Sequence, residues 1–196
     1  PIAAIQVAIP EKFRMLNLAL VDVGAGTSDI SITKEGTITA YGMIPVAGDS
    51  LTDIIVQHCL VDFETAENIK REVGMAIPNE GEEPLEIEVR GRNLAEGVPR
   101  SITVTSDEIS QAISDPLQSI VQAVKSALEQ TPPELSSDIA ERGIVLTGGG
   151  ALLRNLDKLL AQETGLPVVV AEEPLTCVTR GGGKVLELFD NPNHDM

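Results

Sequence analysis

Apolar residues recur along this chain with two different periods, and the changes from one to the other mark its elements. Leu18–Val23, Ile30–Lys34 and Thr37–Pro45 carry the short apolar or alternating runs of strands. The loop Gly24–Asp29 and the turn Lys34-Glu35-Gly36 join them into an antiparallel meander. Before them, Ile2–Ile9 reads as a short apolar helix broken at Pro10. After them, Gly48-Asp49-Ser50 starts a helix that runs to about Leu60, and Glu64–Gly74 forms a second. The charged stretch Pro78–Pro84 is an exposed connection, and Leu85–Arg90 with Ser101–Thr105 alternate as a hairpin pair around a long Gly-bearing turn. Ser106-Asp107-Glu108 caps a long helix, Ile109–Gln130, on which Ile109, Ile113, Leu117, Ile120, Val124 and Leu128 share one face. Pro116 either kinks this helix or divides it in two. Ile144–Thr147, Leu152–Glu163, Val168–Ala171 and Pro174–Phe189 then read strand, helix, strand, helix, and Asp190–Met196 a frayed tail. The pattern is α/β with an antiparallel start, free of internal repeats and low-complexity segments.

Two glycine loops about 120 residues apart break this pattern in the same way, each just after a buried-looking strand. They read Asp22-Val-Gly24-Ala-Gly26-Thr27-Ser28-Asp29 and Leu146-Thr147-Gly148-Gly149-Gly150-Ala151-Leu152-Leu153. Glycines at a strand end let the backbone turn tightly and present N–H groups to phosphate oxygens. Neither loop has the spacing of a Walker loop or of a dinucleotide fingerprint. One such loop is as readily structural as functional; two, each with Thr beside the glycines, favour a split nucleotide site. Glu67 and Lys70, three residues apart, share a helix face, where an ordinary surface ion pair is the alternative to a ligand-binding pair.

Composition narrows the function classes. The chain has 196 residues, enough for one substantial core, and only three Phe, one Tyr and no Trp, so that core is aliphatic. No apolar run approaches a membrane span, and the apolar start Pro1–Pro10 lacks the basic region and cleavage site of a signal peptide. The expectation is a cytoplasmic protein without membrane insertion. A formal charge of −16 opposes nucleic acids and anionic lipid surfaces. It does not oppose a nucleotide, whose phosphates loop amides would hold. Cys59 and Cys177, without CxxC spacing or clustered His, read as reduced thiols, and His58 and His194 lack metal-binding partners.

From about Glu67 to Leu188 the chain closely resembles the MreB family of bacterial actin homologues, within the actin-like ATPase superfamily. The residues that carry the resemblance are Glu67–Gly74, Glu88–Pro99, Thr131–Leu135, Arg142–Arg154 and Pro174–Cys177. Over the first 65 or so residues Gly24-Ala-Gly26-Thr27-Ser28-Asp29 departs from the family's three glycines and Thr-Thr-Glu. There, with Gly42–Pro45 and Ala47–Asp49, the chain resembles the FtsA-type branch. A divergent natural sequence and an engineered join near residues 62–72 would both produce this mosaic.

The resemblance implies the second lobe of an actin-like, ribonuclease H-like fold: a mixed sheet flanked by helices, with a small α+β subdomain. Residues 1–74 would form the first part of the lobe, 75–105 an inserted hairpin subdomain, 106–189 the second part and 190–196 a tail. It implies ATP and Mg²⁺ as ligands. The nucleotide would lie against Gly24, Ala25, Gly26, Thr27 and Ser28 for the phosphates, and against Glu67, Asn68, Ile69 and Lys70 for the ribose and adenine. Gly148, Gly149, Gly150, Ala151 and Leu152 would hold the adenosine. Asp22 would hold Mg²⁺ through water, its alternative being a strand-end cap of the glycine turn. Asp29 matches a family glutamate and reads equally as a solvated loop carboxylate, and Gly181-Gly182-Gly183 reads as packing and hinge.

The family's first phosphate loop and its water-orienting glutamate, which would immediately precede Pro1, have no counterpart among these residues, so no catalytic residue is assigned. The isolated lobe would then bind ATP weakly or not at all and hydrolyse it at background. Three functions stay open: a filament subunit or its lobe, with self-association and cell-shape membrane-protein partners; an FtsA-like or chaperone-like adaptor; and an engineered chimeric scaffold without activity.

Overall fold

The computed structural model describes residues 17–35, 37–92 and 99–190. The expected helix Ile2–Ile9, the turn residue Gly36, the hairpin tip at 93–98 and the tail beyond Asp190 lie outside the described residues.

The meander forms as expected: β1 (Leu18–Val23), β2 (Ser28–Lys34) and β3 (Thr37–Ile44) pair antiparallel in sequence. Two later strands, β6 (Ile144–Thr147) and β7 (Val168–Val170), add in parallel on the other side of β1, giving the order β3-β2-β1-β6-β7. A second, two-stranded sheet, β4 (Glu86–Arg92) with β5 (Pro99–Thr105), puts Val89 and Val104 into the main core. β1 is central and apolar throughout except at Asp22, as expected of a strand buried on both faces. One face, with Ala19, Val21, Ile30, Ile32, Ile144 and Leu146, joins the main core. Leu18 and Leu20 turn to the other and form a smaller cluster with Ile38 and Val145.

Helices α1 (Gly48–Cys59) and α2 (Phe63–Val73) follow the meander, and Leu51, Ile55, Ala66 and Ile69 anchor them. Asp62 caps α2, its carboxylate accepting from the N–H of Thr65 at 2.9 Å. The long helix expected at Ile109–Gln130 is two helices, α3 (Ser106–Ala112) and α4 (Ser114–Glu129), broken at Ile113. Pro116 explains the position. It has no N–H for the carbonyl of Ala112, and its ring crowds that carbonyl, so the chain turns one helical turn earlier. Thr105 caps α3 at 3.3 Å through the N–H of Glu108.

Helix α5 (Pro133–Arg142) has no counterpart in the expected elements. Only Leu135 and Ile139 are buried on it, too few for a visible period. The helix expected at Leu152–Glu163 starts later, as α6 (Leu156–Thr164), after a 3₁₀ turn at Gly149–Leu152. Asn155 interrupts them in the left-handed region (φ 62°), and its amide donates to the carbonyl of Ile77 (2.8 Å) and to Asn79 Oδ1 (2.9 Å). A second 3₁₀ turn, Pro174–Thr176, leads into α7 (Cys177–Asp190), which carries Gly181–Gly183 within its span.

Candidate functional site

Both glycine loops open from the same end of the sheet. Asp22, at the end of β1, pairs in register with Asp29 on one side and Thr147 on the other. The first loop is closed by the N–H of Gly24 donating to the carbonyl of Thr27 (2.9 Å). It is tied to the start of α1, where the N–H groups of Gly48 and Asp49 donate to the carbonyls of Gly24 (3.1 Å) and Ala25 (2.8 Å). The second loop is held from the opposite side. Gly148 N–H and the Thr147 hydroxyl both donate to the carbonyl of Pro174, at 3.1 and 3.3 Å.

The loops touch across β1. Gly148 has φ +85°, and a Cβ there would run into the carbonyl of Val23 and the carboxylate of Asp22. One at Gly150 would meet the side chain of Val23. Glycine is therefore required at both places by close packing of the second loop on the end of β1.

Between the loops lies a cavity of about 770 Å³. Asp22, Gly24, Ala25, Thr27 and Asp29 form one side, Gly148, Gly149, Gly150 and Leu152 another. Glu67 and Lys70 of α2 close a third, and the mouth is apolar, with Leu175 67% exposed and Leu152 56%. Lys70 is the best-held cation of the site. Its Nζ donates to the carbonyl of Gly48 (3.1 Å) and Thr52 Oγ1 (2.8 Å), and pairs with Glu67 Oε2 (2.6 Å). Thr52 in turn donates to Glu67 Oε2 (2.7 Å), and Arg71 reaches Oε1 (3.2 Å). Partial burial works against the Glu67 carboxylate, but the hydrogen bonds from Lys70 and Thr52 prevail and hold its pKa below the usual range.

Some expected site residues point elsewhere. Ser28 is buried, and its hydroxyl donates to the carbonyl of Val46 (2.7 Å), so it is committed to the loop's own structure. Ile69 and Ala151 are core residues. Asn68 and Gly26 are exposed and outside the cavity lining. Conversely, the lining includes Gly48, Asp49, Leu51, Arg71, Leu153, Pro174, Leu175 and Val178, none of them expected. Arg71 adjoins Lys70 in sequence and Leu153 adjoins Leu152; the others become neighbours only through the tertiary fold.

Asp22 carries the main electrostatic cost. Burial raises its pKa above the ordinary 3.8, and the nearby Asp29 carboxylate adds to the rise. A raised folded-state value means that its contribution to stability is full below the ordinary value and is lost as pH rises through the raised one. Asp22→Asn should therefore melt at a higher temperature than the parent at pH 7, with the gap closing below about pH 3.8. Thermal melts across pH test this, and an unchanged midpoint at pH 7 would contradict it.

Other sequence candidates resolve simply. His58 pairs with Glu108 at 2.8 Å, tying α1 to α3. Cys59 and Cys177 are free thiols, and burial, with Glu108 nearby, pushes Cys59 up to about 11. Among the described residues no helix is long and apolar enough to cross a membrane, and no cluster of three or more His, Cys, Asp or Glu could hold a metal ion directly.

Comparison with known proteins places this geometry. A family model described as MreB/Mbl protein matches residues 2–194, through the first 65 residues and through 62–72 alike. The cell shape-determining protein MreB of Escherichia coli K12 is 54% identical over 183 residues, 90% of this chain and 52% of that protein. The cell shape-determining protein Mbl of Bacillus subtilis 168 is 44% identical over 186 residues, 92% of this chain and 55% of that protein. The chain thus spans about half the length of the curated relatives it matches. The crystal structure of MreB5 of Spiroplasma citri bound to ADP superposes with a TM-score of 0.86 at 29% identity, over 100% of this chain and 60% of that one. A MamK double helical filament superposes at 0.75 with 19% identity, over 95% of this chain and 57% of its own, and shares the actin-like fold.

Proposed function

The chain belongs to the MreB/Mbl family, and from that premise we propose that it is the nucleotide-binding lobe of an actin-like, filament-forming ATPase that controls cell shape. The observation that carries the reading is the one cavity into which both glycine loops and the Glu67–Lys70 pair open. Solved relatives hold ADP or AMPPNP, which supports the same ligand class here. The backbone of Gly24, Ala25 and Thr27 would receive the phosphates. Glu67 and Lys70 would address the ribose and adenine, with Gly148–Gly150 and Leu152 walling the adenosine.

The residues fit the ligand: a cavity of about 770 Å³ is lined by the backbone of both glycine loops, and Lys70 is held at it by three partners. They also fit a magnesium ion bound mainly by phosphates, because Asp22 offers one carboxylate and would reach the ion through water. Residues 1–74 and 106–189 would form the lobe proper, and 75–105 its inserted hairpin subdomain. Self-association into filaments, cell-shape membrane-protein partners and a cytoplasmic location complete the proposal. The family match and the filament formed by MamK support self-association, while the partners and the location rest on the cell-shape-determining role named for the curated relatives.

Tested alone, the 196-residue chain should bind Mg-ADP weakly, in the range of about 1 mM or above, and hydrolyse ATP at background, because positioning groups on both sides supply most of phosphoryl-transfer catalysis. Amide chemical-shift mapping with Mg-ADP is the direct test. Shifts should appear at Gly24–Thr27 and Gly148–Gly150. Shifts confined to the cleft lined by Ile77, Ser110 and Leu117 would sink the assignment.

A further inference from the structure

Asp29 is held from two sides by hydroxyls. Thr27 Oγ1 donates to its Oδ2 at 3.1 Å, and the Tyr41 hydroxyl donates to its Oδ1. Tyr41 sits on the outer strand β3, opposite Ser31 of β2, while Asp29 is opposite Met43. Tyr41 therefore stands diagonally across the strand pair from Asp29, on the same face and within reach of a long side chain. It is 54% exposed, so core packing does not account for its position. Asp29 lines the cavity beside Thr27. Thr27 in turn closes the first glycine loop through its carbonyl bond to Gly24 N–H, and that loop accepts the N–H groups of Gly48 and Asp49.

We propose that Tyr41 is a positioning residue of the first glycine loop: from the sheet edge its hydroxyl fixes the Asp29 carboxylate, which fixes the Thr27 hydroxyl at the cavity. Both carboxylate oxygens are thereby occupied, so Asp29 cannot rotate without breaking a charge-assisted bond. Loss of the Tyr41 bond frees one oxygen, and Thr27 then follows a mobile partner. Insofar as the loop receives phosphate, the inference rests on the proposed nucleotide reading. Its structural half does not.

The chain supplies its own reporter, since Tyr41 is the only tyrosine and there is no tryptophan. A phenol bonded to a carboxylate loses emission by passing its proton to the carboxylate in the excited state. Asp29→Asn should therefore raise the tyrosine emission of the folded chain. Tyr41→Phe, a change at an exposed site, should speed amide exchange at Gly24, Gly48 and Asp49 by about tenfold, the size expected for losing one side-chain hydrogen bond. Gly148, whose N–H is held by Pro174, should not change. In titrations, Tyr41→Phe should weaken Mg-ADP by roughly three- to tenfold and leave adenosine unaffected. Unchanged emission in Asp29→Asn, unchanged exchange in Tyr41→Phe, or equal weakening of Mg-ADP and adenosine would each overturn the proposal. If the parent chain binds no Mg-ADP while exchange still responds to Tyr41→Phe, the positioning role stands and the nucleotide reading falls.

Discussion

Gly148→Ala is expected to remove a large part of the chain's stability. At φ 85° and ψ 171° the backbone of Gly148 occupies a region that is essentially glycine-only, and strain there costs about 1–3 kcal/mol. The added methyl would also lie inside contact distance of the Val23 carbonyl and the Asp22 carboxylate. Overpacking of this kind costs a further 1–3 kcal/mol or so, and neither neighbour yields easily, one being backbone and the other a half-buried acid. Together that is roughly 2–6 kcal/mol, against a total stability of about 5–15 kcal/mol for an ordinary domain. Gly26→Ala is the control, because a Cβ there meets nothing within 4 Å and the φ is not positive. Urea unfolding should separate the two variants widely. Coinciding midpoints would mean that the second loop does not press on the end of β1.

Lys70→Ala should have the next largest effect. It removes three partners at once, from Glu67, Thr52 and the carbonyl of Gly48. Lys70 and Glu67 keep only 15% and 26% of their side-chain exposure, so the carboxylate left behind is poorly solvated. Removing one partner of a fully buried pair costs about 3–5 kcal/mol; with this residual exposure roughly 2–3 kcal/mol is expected. Adding Glu67→Gln should recover part of the loss, since a neutral amide needs no counter-ion. The pH dependence has a definite sign. The carboxyl of Glu67 titrates below its ordinary 4.5, so the stability it lends is present above that value and disappears as pH falls through the depressed one. The gap between parent and Lys70→Ala should therefore narrow in acid. A double variant no more stable than Lys70→Ala would show that Thr52 and Gly48, not Glu67, carry the energy.

What could be read from the chain beforehand depended on how local each signal was. The glycine loops and the apolar face of Leu117, Ile120 and Val124 are contiguous or strictly periodic, and both were legible. Pro116 announced a discontinuity but not its position, because its effect falls on the carbonyl of Ala112. The family resemblance points Ser28 at the phosphates, although its spacing of two and four from the buried Ile30 and Ile32 puts it on the inner face. Ile69 was drawn in by the Glu67–Lys70 pattern, while its spacing from Ala66 and Val73 marked it as core. Thr52, which joins Lys70 to Glu67, lies on another helix, and nothing local signals that contact. Leu175 and Val178 reach the cavity only because Pro174 docks on the second loop.

The parallel pairing of β1 with β6 also sets the order in which the molecule can be built. Ala19 finds its partner Ile144 about 125 residues later, whereas β1, β2 and β3 close among near neighbours. During synthesis the hairpins can form early, but β1 must wait with one edge bare until most of the chain has emerged. Closing so long a loop before any contact rewards it is slow. Through that interval an aliphatic strand edge, with Asp22 its one charged residue, is open to other nascent chains, a common route to aggregation. The cradle between the two glycine loops is then among the last features to appear, so a ligand taken up there would report completed folding and not a step on the way.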